Sequence, residues 1–337
     1  MIKLPSNYST DTICSTFRED RKVCIPSISK RGDTDVKCSG ELLFSESFEN
    51  MDNWNHYVVF RGPHPYREGV AYKTSQANSY IKNQTLHIKV TNSTGETYLD
   101  NCSFFSIYKS QTDLICGIRD SKRRKFYKDN IMPPFDSAML QSKEKFKYCR
   151  IDIEAKVAHG DFLLSGMQLA TKNDAINIAI VRGHSKLNDT SNNEVGGTRV
   201  FVGVLKDSPN SADLKAHMAD QFFSNDKHLG KKYHTYSAIW KNDSITFKLN
   251  GKTYAVFDHE ETMAQIDMHE ERYIQLFLTV GGELYYPDSR IHKGGRFLNS
   301  NPKIAPIIKS HVKTANWIEP KMSIKSIKVY STDRNEY

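Results

Sequence analysis

Between Cys149 and Val157 polar and apolar residues alternate, and a side-chain period of two belongs to a strand with one dry face. Ile151, Ile153, Ala155 and Val157 form the inward set. His159-Gly160-Asp161 is turn chemistry, a second apolar strand follows, and residues 175–181 (AINIAIV) make a third. With simple alternation Ile176, Ile178 and Ile180 share one face of that third strand, and Ala175, Asn177, Ala179 and Val181 share the other. A bulge in mid-strand turns Ile180 to the side of Ala175 and Asn177 instead. Asp174 is the only acid between residues 162 and 188.

Strand signals recur over most of the chain. They cover residues 41–48, 54–60, 79–81 and 85–90, then 199–205, 234–240, 245–249, 254–257, 273–280 and 322–330, with turn residues such as Asn53, Gly62-Pro63, Asn83 and Gly95 between the early ones. Helical pattern is confined to Ser211–Phe223 and Asn301–Lys313. Many short strands and few helices predict an all-β, two-sheet sandwich of the jelly-roll type, and 337 residues suffice for one. The expected units are a polar, cysteine-containing N-terminal arm (1–39), one β-sandwich domain (40–332) and a short tail (333–337). Residues 98–132 read as an irregular insertion.

A net charge of +8 is too dilute to name a partner. The densest basic run, Lys122-Arg123-Arg124-Lys125, lacks the interleaved aromatics or module of a nucleic-acid binder, so none is expected. No stretch reaches the roughly 20 apolar residues of a membrane span. The N-terminus has no apolar leader, so the chain is either cytosolic or numbered without one. Six cysteines (14, 24, 38, 102, 116, 149) and six glycosylation sequons (Asn7, Asn83, Asn92, Asn101, Asn188, Asn242) favour a secreted, extracellular protein. None of the cysteines forms a C-x-x-C pair, and their connectivity stays open. Arg31-Gly32-Asp33 is an integrin-type triplet, but three residues recur by chance. The histidines show no H-E-x-x-H spacing, and no metal or cofactor is expected.

Several blocks stand in one order: Phe44, Phe48, Trp54 and His56; residues 148–183; Tyr233-His234 to Trp240 with the Asn250-Gly251 turn; and Leu276 to Gly282 with Pro287 beyond. Together they cover residues 40–332 and resemble laminarinase-type glycoside hydrolases of family sixteen. The closer resemblance is to their non-catalytic insect relatives, the β-1,3-glucan recognition or Gram-negative-binding proteins. The resemblance implies a concanavalin/laminarinase-like β-jelly roll. It also places the hydrolases' three catalytic carboxylates on Ala175, Asn177 and Ile180. A retaining glycosidase needs two carboxyl groups about 5 Å apart, and Asp174 alone cannot fill both roles. No catalytic residue is therefore expected.

Where relatives carry stacking tryptophans and a proline, this chain has Phe162, Ser165 and Gln168. The remaining candidate ligand contacts are Trp54, Arg182, His184, His234, Tyr285 and Tyr286. The resemblance further implies bridges Cys24–Cys38 and Cys102–Cys116, which leaves Cys14 with Cys149; the alternative is one or two free thiols. The calcium-binding aspartate of the family's last strand corresponds to Lys325, so that ion is not expected. The implied role is innate immune recognition of microbial wall polysaccharide, with a serine protease or other immune protein as partner. Two alternatives are an adaptor acting only through protein contacts and a weak β-1,3-glucanase.

Overall fold

The computed structural model describes residues 24–60, 68–93, 133–206, 217–222, 227–282, 284–286, 291–292, 295–296, 310 and 312–333. The strands begin with β1 (Lys30–Arg31), β2 (Thr34–Asp35), β3 (Leu42–Glu46), β4 (Trp54–His56), β5 (Val59–Phe60) and β6 (Val70–Tyr72). Next come β7 (Ser79–Ile81), β8 (Leu86–Lys89), β9 (Thr91–Asn92), β10 (Phe135–Ser137), β11 (Met139–Lys147) and β12 (Cys149–Lys156). They continue with β13 (Leu163–Ala170), β14 (Asp174–Arg182), β15 (Arg199–Lys206), β16 (His217–Phe222), β17 (His234–Trp240) and β18 (Ile245–Leu249). The last are β19 (Lys252–Phe257), β20 (Arg272–Val280), β21 (Ile291–His292), β22 (Gly295–Arg296) and β23 (Lys321–Ser331).

Among the described residues two large sheets stack on each other. The first runs β16-β15-β14-β13-β20-β11-β1-β2, with β4 also on β11. The second runs β19-β18-β17-β12-β23-β8-β7, with β3 also on β23. Their facing sides meet where Phe146 lies 5.7 Å from Phe44 and the Arg272 guanidinium lies 5.3 Å from the Trp240 ring. The inward set of β12 is fully buried, as its alternation requires. Trp240 and Phe247 add large apolar faces to that core, each contributing about 2–3 kcal/mol by burial. The two-sheet all-β architecture is the expected one.

Two expectations need correction. Ser211–Phe223 is not a helix over its second half, because His217–Phe222 is the strand β16, paired antiparallel to β15. The open edge of β15 supplies backbone partners that outweigh a weak helical preference. Within the N-terminal arm, β1 and β2 form a hairpin that extends the first sheet from β11. The Ile28 N–H also donates to the Thr332 carbonyl at 3.0 Å, beside the end of β23. Finally, Cys24 and Cys38 are bridged as expected, but Cys149 is a free buried thiol. It opens β12 inside the core and is not joined to Cys14. Burial pushes that thiol up to about 12.

Cys14, Cys102, Cys116, Asn7, Asn101, the 98–132 insertion and nearly all of 301–313 lie outside the described residues. Asn83, Asn92 and Asn242 are exposed, while Asn188 is half-buried and donates to Asn192 at 2.7 Å. Arg31 of the Arg-Gly-Asp triplet is held by Glu144 through two hydrogen bonds of 2.7 and 2.5 Å, with Gly32 at φ +54° in the hairpin turn. No helix of the described residues is long and apolar enough to cross a membrane.

A buried ion pair joins β14 to β20. Arg272 is fully buried and Asp174 is 6% exposed, and their side chains are hydrogen-bonded. Asp174 also accepts from the Thr171 hydroxyl at 2.9 Å and the Asp267 N–H at 2.7 Å, and Arg272 donates to the Asp267 carbonyl at 2.7 Å. Asp174→Ala strands an unpaired guanidinium in the core and is expected to cost about 3–5 kcal/mol in urea unfolding. A loss below about 1 kcal/mol overturns this assignment.

Candidate functional site

The facing of β14 is decided by its pairings. Asn177 lies opposite Gly203 of β15 and Ile180 opposite Phe201, so three steps on β14 match two on its partner. On the other side Asn177 pairs with Gln168 and Ile180 with Gly166 of β13. A bulge around Ile178 and Ala179 therefore brings Ala175, Asn177, Ile180 and Arg182 to one side of the sheet. That side is turned away from the second sheet. It carries no carboxylate at any of the three inspected positions, Ala175, Asn177 and Ile180.

Side chains of neighbouring strands fill the same outer face. Phe277 of β20 lies over Gly166, where even a Cβ would come within 2.1 Å of its ring. One row toward β11, Asn177 pairs with Gln168, Gln168 with Gln275, and Gln275 with Gln141. This row of four amides crosses four strands. Gln168 donates to Gln275, but Gln168 Oε1 and both polar atoms of the Asn177 amide have no partner. Phe201, Ala175, Ile180, Asn177, Gln168, Gln275 and Phe277 are all 7% exposed or less. The centre of this face is a dry layer with amides in it. Asp174, the only acid of β14, is spent on Arg272.

The six candidate contacts do not converge on an open groove. Trp54 pairs with Ser142 of β11 in the register that faces the core. It stacks 6.0 Å from Phe48, and its indole N–H donates to Glu46 at 3.0 Å. His234 starts β17 on the second sheet, opposite Ala155, so it is not on this face. Arg182, His184, Tyr285 and Tyr286 do come together, but as a buried brace. Arg182 donates to the carbonyls of Tyr285 at 2.7 Å and Val195 at 3.0 Å, with its guanidinium 3.9 Å from the Phe201 ring. The Tyr286 hydroxyl donates to the Leu163 carbonyl at 2.7 Å, and burial raises its pKa. His184 meets Phe162 edge-on at 4.7 Å. Each of these six is 8% exposed or less.

Sequence reasoning missed the amide row and a second feature at the exit of β14. His159 and His228 stack with ring centroids 3.8 Å apart. The Gly230 N–H donates to His228 Nδ1 at 2.9 Å, so Nε2 carries the proton toward the Gly183 carbonyl, 3.0 Å away. Both nitrogens are used in the neutral form. Gly197 permits this approach, since a Cβ there would lie 2.0 Å from His228 Nε2. Burial first, then the His159 neighbour, lowers the pKa of His228 to about 4. His159 is lowered too, by burial and then Lys231.

The folded chain thus refuses a proton that the unfolded chain accepts below its ordinary imidazole pKa. Stability from His228 is complete above about pH 6.5 and is lost as pH falls toward 4, by roughly 3 kcal/mol in all. Urea midpoints measured in that range should fall with acidification and be flat just above it. An unchanged midpoint down to pH about 4 contradicts the assignment.

No family model matches the chain. It is 26% identical over 290 residues to Gram-negative bacteria-binding protein 2 of Drosophila melanogaster, covering 80% of this chain and 59% of that protein. It is 25% identical over 240 residues to β-1,3-glucan-binding protein 2 of Manduca sexta, covering 68% of this chain and 48% of that one. The chain therefore spans about half to three fifths of the length of these relatives. The laminarinase of Rhodothermus marinus superposes with a TM-score of 0.57 at 15% identity, over 87% of this chain and 98% of that one. In fold the chain is a laminarinase-type jelly roll, and in sequence it is similar to the insect Gram-negative-binding and β-1,3-glucan-binding proteins.

Proposed function

We propose that this chain is a non-catalytic recognition protein of innate immunity that contacts microbial β-1,3-glucan or a related wall polysaccharide. It would work outside the cell and pass the encounter to a protease cascade or receptor pathway through a protein partner. The observation that carries this reading is the bulged strand β14. Its pairings aim positions 175, 177 and 180 at one face, and the residues there are alanine, asparagine and isoleucine. Neither a nucleophile nor an acid/base is present in that set, and general acid–base help alone contributes about 100- to 10,000-fold. The names of the relatives supply the ligand class.

The same geometry limits where sugar contact takes place. With the centre of the outer face buried, the reading puts polysaccharide contact elsewhere on the surface. This favours, as a second reading, an adaptor that acts through protein contacts alone. Co-sedimentation with insoluble β-1,3-glucan in moderate salt separates the two. Retention that soluble laminarin competes away, without release of reducing sugar, is the expected result. Absence of retention sinks the glucan reading and leaves the adaptor. Release of reducing sugar overturns the non-catalytic assignment.

A further inference from the structure

Asn177 is fully buried on the outer face of β14, and neither Nδ2 nor Oδ1 of its amide meets a partner in the protein. Its cross-strand neighbour Gln168 is 4% exposed, and Oε1 of that side chain is unpartnered as well. Gln168 Nε2 is committed in the other direction, to Gln275 Oε1. One amide donor and two amide acceptors are thus left between two adjacent strands. Exchanging oxygen and nitrogen of the Asn177 amide does not help, because both atoms are bare. Buried polar groups left in this state are costly, and proteins rarely keep them.

The backbone adds to the demand at the same point. Pairing with β13 passes from Asn177–Gln168 straight to Ala179–Met167, and pairing with β15 passes from Asn177–Gly203 to Ile180–Phe201. A bulge interrupts the ladder where it inserts a residue, so main-chain groups beside Asn177 need partners too. On the β15 flank the residue opposite Asn177 is Gly203, so no side chain reaches over to the amide at that register position. The cross-strand neighbours Gln168, Gly166, Gly203 and Phe201 are all uncharged, which favours a neutral occupant.

We infer that a water molecule is built into the bulge of β14, accepting from Asn177 Nδ2 and donating to Gln168 Oε1. A buried water makes about three hydrogen bonds, and Asn177 Oδ1 or a main-chain group of the bulge completes its set. The layer stays closed to bulk solvent, with this water as one of its parts. The row of amides then runs without a break from Asn177 through the water to Gln168 and Gln275, tying β14 to β13 and β20. The inference goes beyond polysaccharide recognition and does not rest on it.

The test is a crystal structure of the whole chain in which ordered water is visible, joined to a count of long-lived internal waters in solution by magnetic relaxation dispersion. Density for a water within hydrogen-bond reach of both amides is expected. Amides bonded directly to each other, an organic molecule between them, or no density there overturns the inference. In solution Asn177→Leu, which is of similar size without a polar atom, should lose at least one long-lived water while far-UV spectra stay unchanged. Asn177→Ser keeps a donor and an acceptor and should keep the count. Equal counts in the wild type and the leucine variant, or equal losses in the two variants, overturn the site. Should the leucine variant fail to fold, the density in the wild-type crystal decides alone.

Discussion

A guanidinium removed from water is the most demanding group this core contains, and the arrangement around Arg272 answers it. Asp174 cancels the charge, the Asp267 carbonyl takes a further N–H, and the Trp240 ring lies 5.3 Å away on the second sheet, while Nε keeps no hydrogen-bond partner. Because Asp174 begins β14 and Arg272 begins β20, the pair sets where both strands start relative to β13 between them. Through the Trp240 ring, Arg272 also touches the second sheet. A buried pair of this kind is not cheap compared with well-packed apolar residues, but it is intolerant of losing one partner. The same contact spends the one carboxylate that β14 itself carries.

From that fixed start the bulge does the rest. An extra residue in β14 keeps Ala175, Asn177, Ile180 and Arg182 on one side, as a substrate-facing strand would need. What covers that side is different in character. The Phe277 ring over Gly166 and the amide row beside it make a packed layer, and Arg182 braces the carbonyls of Tyr285 and Val195. The scaffold of a groove is retained while its centre serves as interior.

The strands were legible in the sequence because a half-buried strand must alternate, and β12 and β18 do. The bulge was legible only as a choice between two facings, since cross-strand register is not written in any one strand. Trp54 was misplaced for a related reason. Both faces of the first sheet are dry along β13 and β14, so hydrophobicity does not tell core from outer side. The amide row draws on residues 141, 168, 177 and 275, and nothing local marks them as neighbours.

Cys149 carries one more implication. Its thiol sits at the start of β12, within the central strands of the second sheet, and burial keeps it protonated far above neutral pH. A folded chain should therefore be silent toward thiol reagents at this position, since the thiolate is the reacting species. The sulfur becomes reactive only when β12 separates from β17 and β23. Its rate of alkylation then works as a built-in clock, timing the opening of the sandwich without a spectroscopic probe.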